Sequence, residues 1–181
     1  MPLHNMRDLR ALVPRNGRLI GLDPGAKTIG LALSDPSLML ASPYGSLRRG
    51  KLSVVAAAIT SIARQEQAFG LVGGLPLSLD GSMGPAAQAA RDWLLALSGA
   101  TGLPAASWDE RLSSSAVNRM LISDFDVSRK RRAELVDKLA ATYMLQAALD
   151  ASADRASGDR ASGDRASVDR DWSADGGRDR D

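Results

Sequence analysis

Residues 18–35 read RLIGLD-PGAK-TIGLALSD, and no other stretch constrains the fold as tightly. RLIGLD (18–23) is a short apolar run that closes on a carboxylate. TIGLALSD (28–35) alternates with the period of a strand. Between them, Pro24 and Gly25 occupy the second and third positions of a turn, the pattern of a type II turn. Two strands joined this closely form a hairpin. A dinucleotide-binding domain would instead pass from its first strand through a glycine-rich turn into a helix.

The rest of the chain extends this start. A third strand is expected near Leu38–Ala41. KLSVVAAAITSIARQEQ (51–67) carries apolar residues at helical spacing with no breaker. GLVGGLP (70–76) reads as a buried strand running into a loop. Pro85, just after Gly84, can open a helix through AAQAARDWLLAL. AASWDE (105–110) is a last strand and SSSAVNRMLI (113–122) a short helix. Ser128 can cap a final helix, RKRRAELVDKLAATYMLQAALD. Hairpin, third strand, then alternating helices and strands predict an α/β fold: a mixed sheet of about five strands with helices on both faces.

Composition limits the chemistry. The 181 residues contain no cysteine, which removes disulfides and thiolate metal sites and suits a reducing, cytoplasmic compartment. The one histidine, His4, lies in a polar, basic leader (1–17), so a histidine-based triad or metal site is not expected. The leader lacks the apolar run of a secretory signal, and no stretch reaches the roughly 20 apolar residues of a membrane helix. Residues 151–181 repeat ASxDR and offer little to bury, so a disordered tail is expected after a domain at 18–150. That tail holds six Arg and eight Asp. Of the 23 Lys and Arg and 21 Asp and Glu in the chain, residues 1–150 keep 17 and 13. A modestly basic body is compatible with a polyanionic partner.

Carboxylates must therefore carry any hydrolytic or metal chemistry. Asp23 ends the first strand and Glu110 the last, and strand ends are where sites gather in an open sheet. Asp137 sits among Leu135, Val136, Leu139 and Ala140, an expensive place for an unpaired charge. A divalent cation would pair with all three, and magnesium prefers such hard oxygen ligands. With two metals about 3.5–4 Å apart, the arrangement suits phosphodiester cleavage. Each acid also has a plain reading. Asp23 could be a turn aspartate and Glu110 a surface acid neutralised by Arg111. Asp137 could form a helix ion pair with Arg131, Arg132 or Lys138.

Four blocks resemble a known family. GLDPGAKTIGLALSD (21–35), VGGLPLSLDGSMGPAAQAARDW (72–93), WDERLSSSAV (108–117) and VDKLAATYMLQ (136–146) are similar, in order, to the motifs of the YqgF/RuvX family. That family is related to the RuvC Holliday-junction resolvases and shares the RNase H-like fold. It is regarded as the nuclease that matures the 5′ end of pre-16S rRNA. The resemblance covers about residues 18–150. It implies that Asp23, Glu110 and Asp137 are catalytic and metal-holding, with Mg2+ or Mn2+ as cofactor. It places Lys27 on the basic position of the first block, where it could contact phosphate. Ser34 and Asp35 match the end of that block and are expected to support the site. Asp109 could join the site or orient Arg111.

Arg111 and the cluster Arg129, Lys130 and Arg131 are candidate nucleic-acid contacts. Cations at the start of a helix oppose its dipole, a hint that they serve something else. The loop GLPLSLDGSMGP could meet the substrate backbone or simply connect. The implied partners are pre-16S rRNA or branched DNA, and ribosomal precursor particles. No membrane is implied, and monomer and homodimer both stay open. Two departures stand out: Thr28 follows Lys27 where the family commonly has arginine, and Ser113-Ser114 replace the usual threonines. A resolvase of branched DNA, a non-catalytic RNA-binding factor in ribosome assembly or transcription, and an ATP-binding protein of the actin and sugar-kinase type are the competing readings. The last needs two such lobes, and this chain has residues for one.

Overall fold

The computed structural model of the chain describes residues 2–78, 80–109 and 139–153. The helix expected over 113–122, the opening of the last helix from Ser128, and the repeat tail past residue 153 lie outside the described residues.

Five strands form one mixed sheet: β1 (Arg18–Pro24), β2 (Thr28–Ser34), β3 (Ala41–Arg48), β4 (Ala68–Leu75) and β5 (Ala105–Asp109). Their spatial order is β3-β2-β1-β4-β5. β1–β2 and β2–β3 pair antiparallel, while β1–β4 and β4–β5 pair parallel. The hairpin with a third strand beside it is the one read from the sequence. The switch to parallel pairing follows from α2 (Leu52–Glu66) and α3 (Pro85–Thr101), which return the chain to the same end of the sheet before each later strand. Pro85 opens α3 at its first helical position, and Gly102 closes it in the left-handed conformation at φ 73°.

Alternation along the strands gives the sheet two buried faces. Ile20, Leu22, Ile29, Leu31, Leu71 and Ala105 pack with Val55 and Ile59 of α2 and Leu94 and Leu97 of α3. On the other face, Leu19, Ala32, Val72 and Ala106 pack with Ala141, Met144, Leu145 and Ala148 of the helical segment 139–153. The sequence reading assigned no element to the first residues, yet α1 (Met6–Leu12) buries Met6 and Leu9 in this second layer. Asn5 caps α1 by accepting the Asp8 backbone N–H at 2.9 Å. The result is an RNase H-like α/β sheet with helices on both faces.

Two local expectations are corrected. The third strand begins at Ala41, where the sequence reading had placed its end, and runs to Arg48. Pro43 and Gly45 disguised it, but β3 is an edge strand with a bulge opposite Leu31 and Ala32, where both residues are tolerated. Secondly, the turn after Asp23 is not type II. Gly25 does not adopt positive φ, and its N–H bonds the Asp23 carbonyl at 3.1 Å. Pairing continues through Asp23–Gly30 and Pro24–Ile29, so β1 carries on into the proline.

Ahead of β3, Asp35 organises the turn. Its carboxylate accepts the backbone N–H groups of Met39 at 2.7 Å and Leu40 at 2.8 Å, and it also bonds the Ser37 hydroxyl and N–H. Partial burial opposes ionisation, but the hydrogen bonds from Leu40, Ser37 and Met39 outweigh it and hold the Asp35 pKa down to about 2. This stabilisation is present above the usual carboxylate pKa and is lost as pH falls toward the folded value. Asp35→Asn should cost about 1–2 kcal/mol at neutral pH. Urea midpoints of wild type and variant should converge as the pH is lowered from about 5 to about 2.

Candidate nuclease site at the end of β1

Gly21 positions the second layer. A Cβ at Gly21 would lie 2.9 Å from Leu145 Cβ and 3.3 Å from the Ala141 carbonyl oxygen. Only glycine lets the helical segment 139–153 sit this close to β1. The helix runs antiparallel to β1. Ala141 and Leu145 lie over Gly21. Farther along, the Gln146 side chain accepts the Ala41 N–H at 2.9 Å and donates to the Met39 carbonyl at 3.0 Å. Those last contacts fall at the Ser34 end of the sheet, so the described start of the segment, residues 139 and 140, lies on the Asp23 side of Ala141.

Asp23 is two residues beyond Gly21, hence on the same face. It pairs with Gly30, which in turn pairs with Ser46. On its other side, one step past the Leu22–Gly73 pair, the register brings Gly74 alongside, and Gly74 pairs with Trp108. The transverse row Trp108, Gly74, Asp23, Gly30, Ser46 therefore crosses the whole sheet with one carboxylate at its centre. Asp23 is half-buried at the end of an apolar strand. Trp108 packs at the edge of the second layer, and its Nε1 is buried with no hydrogen-bond partner.

Asp109 pairs with Leu75, one position past Trp108, and alternation turns it to the α2–α3 face, away from Asp23. Glu110, Arg111, Arg129, Lys130, Arg131 and Asp137 lie outside the described residues. Among the described residues, no three His, Cys, Asp or Glu side chains group closely enough to hold a metal ion.

Lys27 is exposed at the hairpin turn, at the same end of the sheet as Asp23. Ser34 and Asp35 are not at that end, which corrects their expected supporting role. Ser34 lies four strand residues from Gly30, about 13 Å along β2. Its hydroxyl accepts the Leu19 N–H at 2.9 Å and donates to the Asp35 carbonyl at 3.0 Å. The pair is structural. It fixes the start of β1 and the turn into β3.

The sequence reading overlooked Arg48 and Arg49. Arg48 pairs with Thr28 at the end of β3. The Arg49 N–H bonds the Lys27 carbonyl at 2.9 Å, and its guanidinium donates to the Gly25 carbonyl at 2.8 Å. Arg49 thus braces the turn that carries Asp23 and Lys27. The adjacent arginines in LRRG were the available signal, but their distance in sequence from Asp23 hid it. The loop after β4 also lies at this end. It is held by the Ser78 N–H on the Ser82 carbonyl at 3.0 Å and the Ser82 N–H on Asp80 Oδ1 at 2.8 Å.

Sheet order, the layer over Gly21 and the half-buried Asp23 at the end of β1 define an RNase H-like protein whose central strand ends on a carboxylate. The chain belongs to the RuvX family, described as Holliday junction resolvase, whose profile matches residues 17–151. A relative from Gluconacetobacter diazotrophicus, named "Putative pre-16S rRNA nuclease", is 73% identical over 154 residues, covering 85% of this chain and 100% of that one. A relative of the same name from Acidiphilium cryptum is 62% identical over 150 residues, covering 83% of this chain and 94% of its own. Among solved structures, the chain is similar to Thermus thermophilus RuvC in complex with a Holliday junction substrate, at TM-score 0.45 and 13% identity, covering 75% of this chain and 94% of that one.

Proposed function

We propose that this RuvX-family nuclease hydrolyses phosphodiester bonds in the maturation of the 5′ end of pre-16S rRNA, with a divalent metal held by Asp23, Glu110 and Asp137. The observation that carries the reading is Asp23 itself. It is a half-buried hard-oxygen donor between two glycine positions, on the face where the helix over Gly21 packs. That donor chemistry fits magnesium, with manganese as a substitute.

Simple geometry supports the other two acids. A helical run at about 1.5 Å per residue would put Asp137 about 6 Å back from Ala141. Two strand residues at about 3.3 Å each carry Asp23 a similar distance beyond Gly21. Glu110 follows Asp109 in sequence, and one further step of strand alternation would give it the Asp23 face. Bound there, the metal would polarise the scissile phosphate and a water. The chain's own part would be to supply the three carboxylates and to brace Asp23 through the hairpin. Arg111 and the Arg129, Lys130 and Arg131 cluster would neutralise phosphates on the flanking strand.

No helix among the described residues is long and apolar enough to cross a membrane. Work on pre-16S rRNA would put the protein in the cytoplasm, beside ribosomal precursor particles. The description of its family favours branched DNA as the second reading. Wild-type protein given a 5′-extended 16S precursor and a four-way DNA junction, each with Mg2+, separates the two. Cleavage of the precursor at its 5′ extension is expected, and cleavage of the junction alone would transfer the function to DNA.

A further inference from the structure

Beyond the acidic centre, the sheet edge at the same end is basic. Alternation along β3 places Leu47 on the α2–α3 face and Ser46 and Arg48 on the Asp23 face. Arg48 is exposed, and so is Lys27 at the adjoining turn. Among the described residues neither forms an ion pair; the salt bridge found there joins Arg18 and Glu66 at the other end of the sheet. Two strand spacings and two residues separate Arg48 from Asp23, about 12 Å between Cα atoms. Arg49 gives one guanidinium N–H to the Gly25 carbonyl and its backbone N–H to the Lys27 carbonyl, which ties it to the turn. The row between Asp23 and the β3 edge consists of Gly30 and Ser46, so small residues separate the carboxylate from the cation.

We propose that Arg48, together with Lys27, binds backbone phosphates of the nucleic-acid strand as it leaves Asp23 across β2 and β3. Arginine is suited to this, since its planar fork grips a phosphate through two donors. The contact carries no base information. It sets the path of the strand, so it acts on RNA and DNA alike. The proposal rests on the nuclease reading for its direction from Asp23, but its binding prediction stands without cleavage. A lone arginine on an edge strand could also serve to discourage edge-to-edge pairing. That role would alter aggregation and leave nucleic-acid affinity untouched.

The test is anisotropy of labelled single-stranded RNA, and of DNA of the same sequence, with the full chain in EDTA across a salt series. Arg48→Glu should weaken binding of both by about 5–10-fold and lower the salt slope by about one counterion. Arg48→Lys should restore most of the affinity and the slope. Arg64→Glu, on exposed α2 at the opposite face, should bind as wild type. Arg48→Glu with wild-type affinity and slope, at unchanged thermal stability, overturns the proposal even if wild type cleaves RNA. Loss of binding in Arg48→Glu from a wild type that cleaves nothing supports this surface and removes the nuclease reading instead.

Discussion

Asp23→Asn should lose cleavage by about 100-fold or more, because on the proposed role of Asp23 one neutral ligand would forfeit several kcal/mol of charge stabilisation at the metal. The substitution keeps the size and shape of the side chain at the end of β1. The backbone pairing of Asp23 with Gly30 does not depend on the carboxylate. Circular dichroism and the melting temperature should therefore stay close to wild type. RNA binding in EDTA should also persist, since the proposed phosphate contacts are Lys27 and the arginines. A variant that loses cleavage, binding and fold together would mean that Asp23 acts structurally, as a turn aspartate.

Gly21→Val is the largest expected stability effect. Its Cβ would meet Leu145 Cβ at 2.9 Å and the Ala141 carbonyl at 3.3 Å, and neither can rotate away. Overpacking of this kind costs about 2–3 kcal/mol, or roughly 5–10 °C in Tm. The displaced segment follows Asp137 closely in sequence, so on the proposed role of Asp137 cleavage should fall more steeply than the folded fraction. Gly73→Ala is a useful contrast. Its Cβ would meet Leu94 Cδ2 at 2.7 Å, the end of a side chain with rotamers to spare, so the loss should be smaller. Thermal melts and single-turnover rates on the two variants measure both effects.

How far the sequence carries depends on the range of the interaction. The hairpin, α2, α3 and the strand-end position of Asp23 follow from local periods and a proline. All of them appear where 18–35, 51–67 and the helix from Pro85 placed them. The turn at Gly25 escaped because pairing of β1 and β2 extends to Pro24–Ile29 and overrides the local turn preference. β3 escaped because its Pro43 and Gly45 are acceptable only at a sheet edge, and edge position is not local information. Ser34-Asp35 looked like part of the site by adjacency in a motif, yet seven residues of strand carry the chain away from Asp23. Arg48 shows the converse. It is 25 residues from Asp23 in sequence and two strands away in space. The proposed roles of Glu110 and Asp137 come from the motif and from their spacing to Asp109 and Ala141.

Strand alternation makes the central claim discriminating, because Asp109 and Glu110 are neighbours in sequence with opposite expected faces. The most direct test is single-turnover cleavage of a 5′-labelled, 5′-extended 16S precursor with Mg2+, comparing wild type, Asp23→Asn, Asp109→Asn and Glu110→Gln, each checked for folding. The account predicts cleavage by wild type and Asp109→Asn, and none above background by Asp23→Asn or Glu110→Gln. Folded Asp23→Asn cutting at the wild-type rate, or folded wild type that binds the precursor but leaves it intact with both Mg2+ and Mn2+, would contradict it.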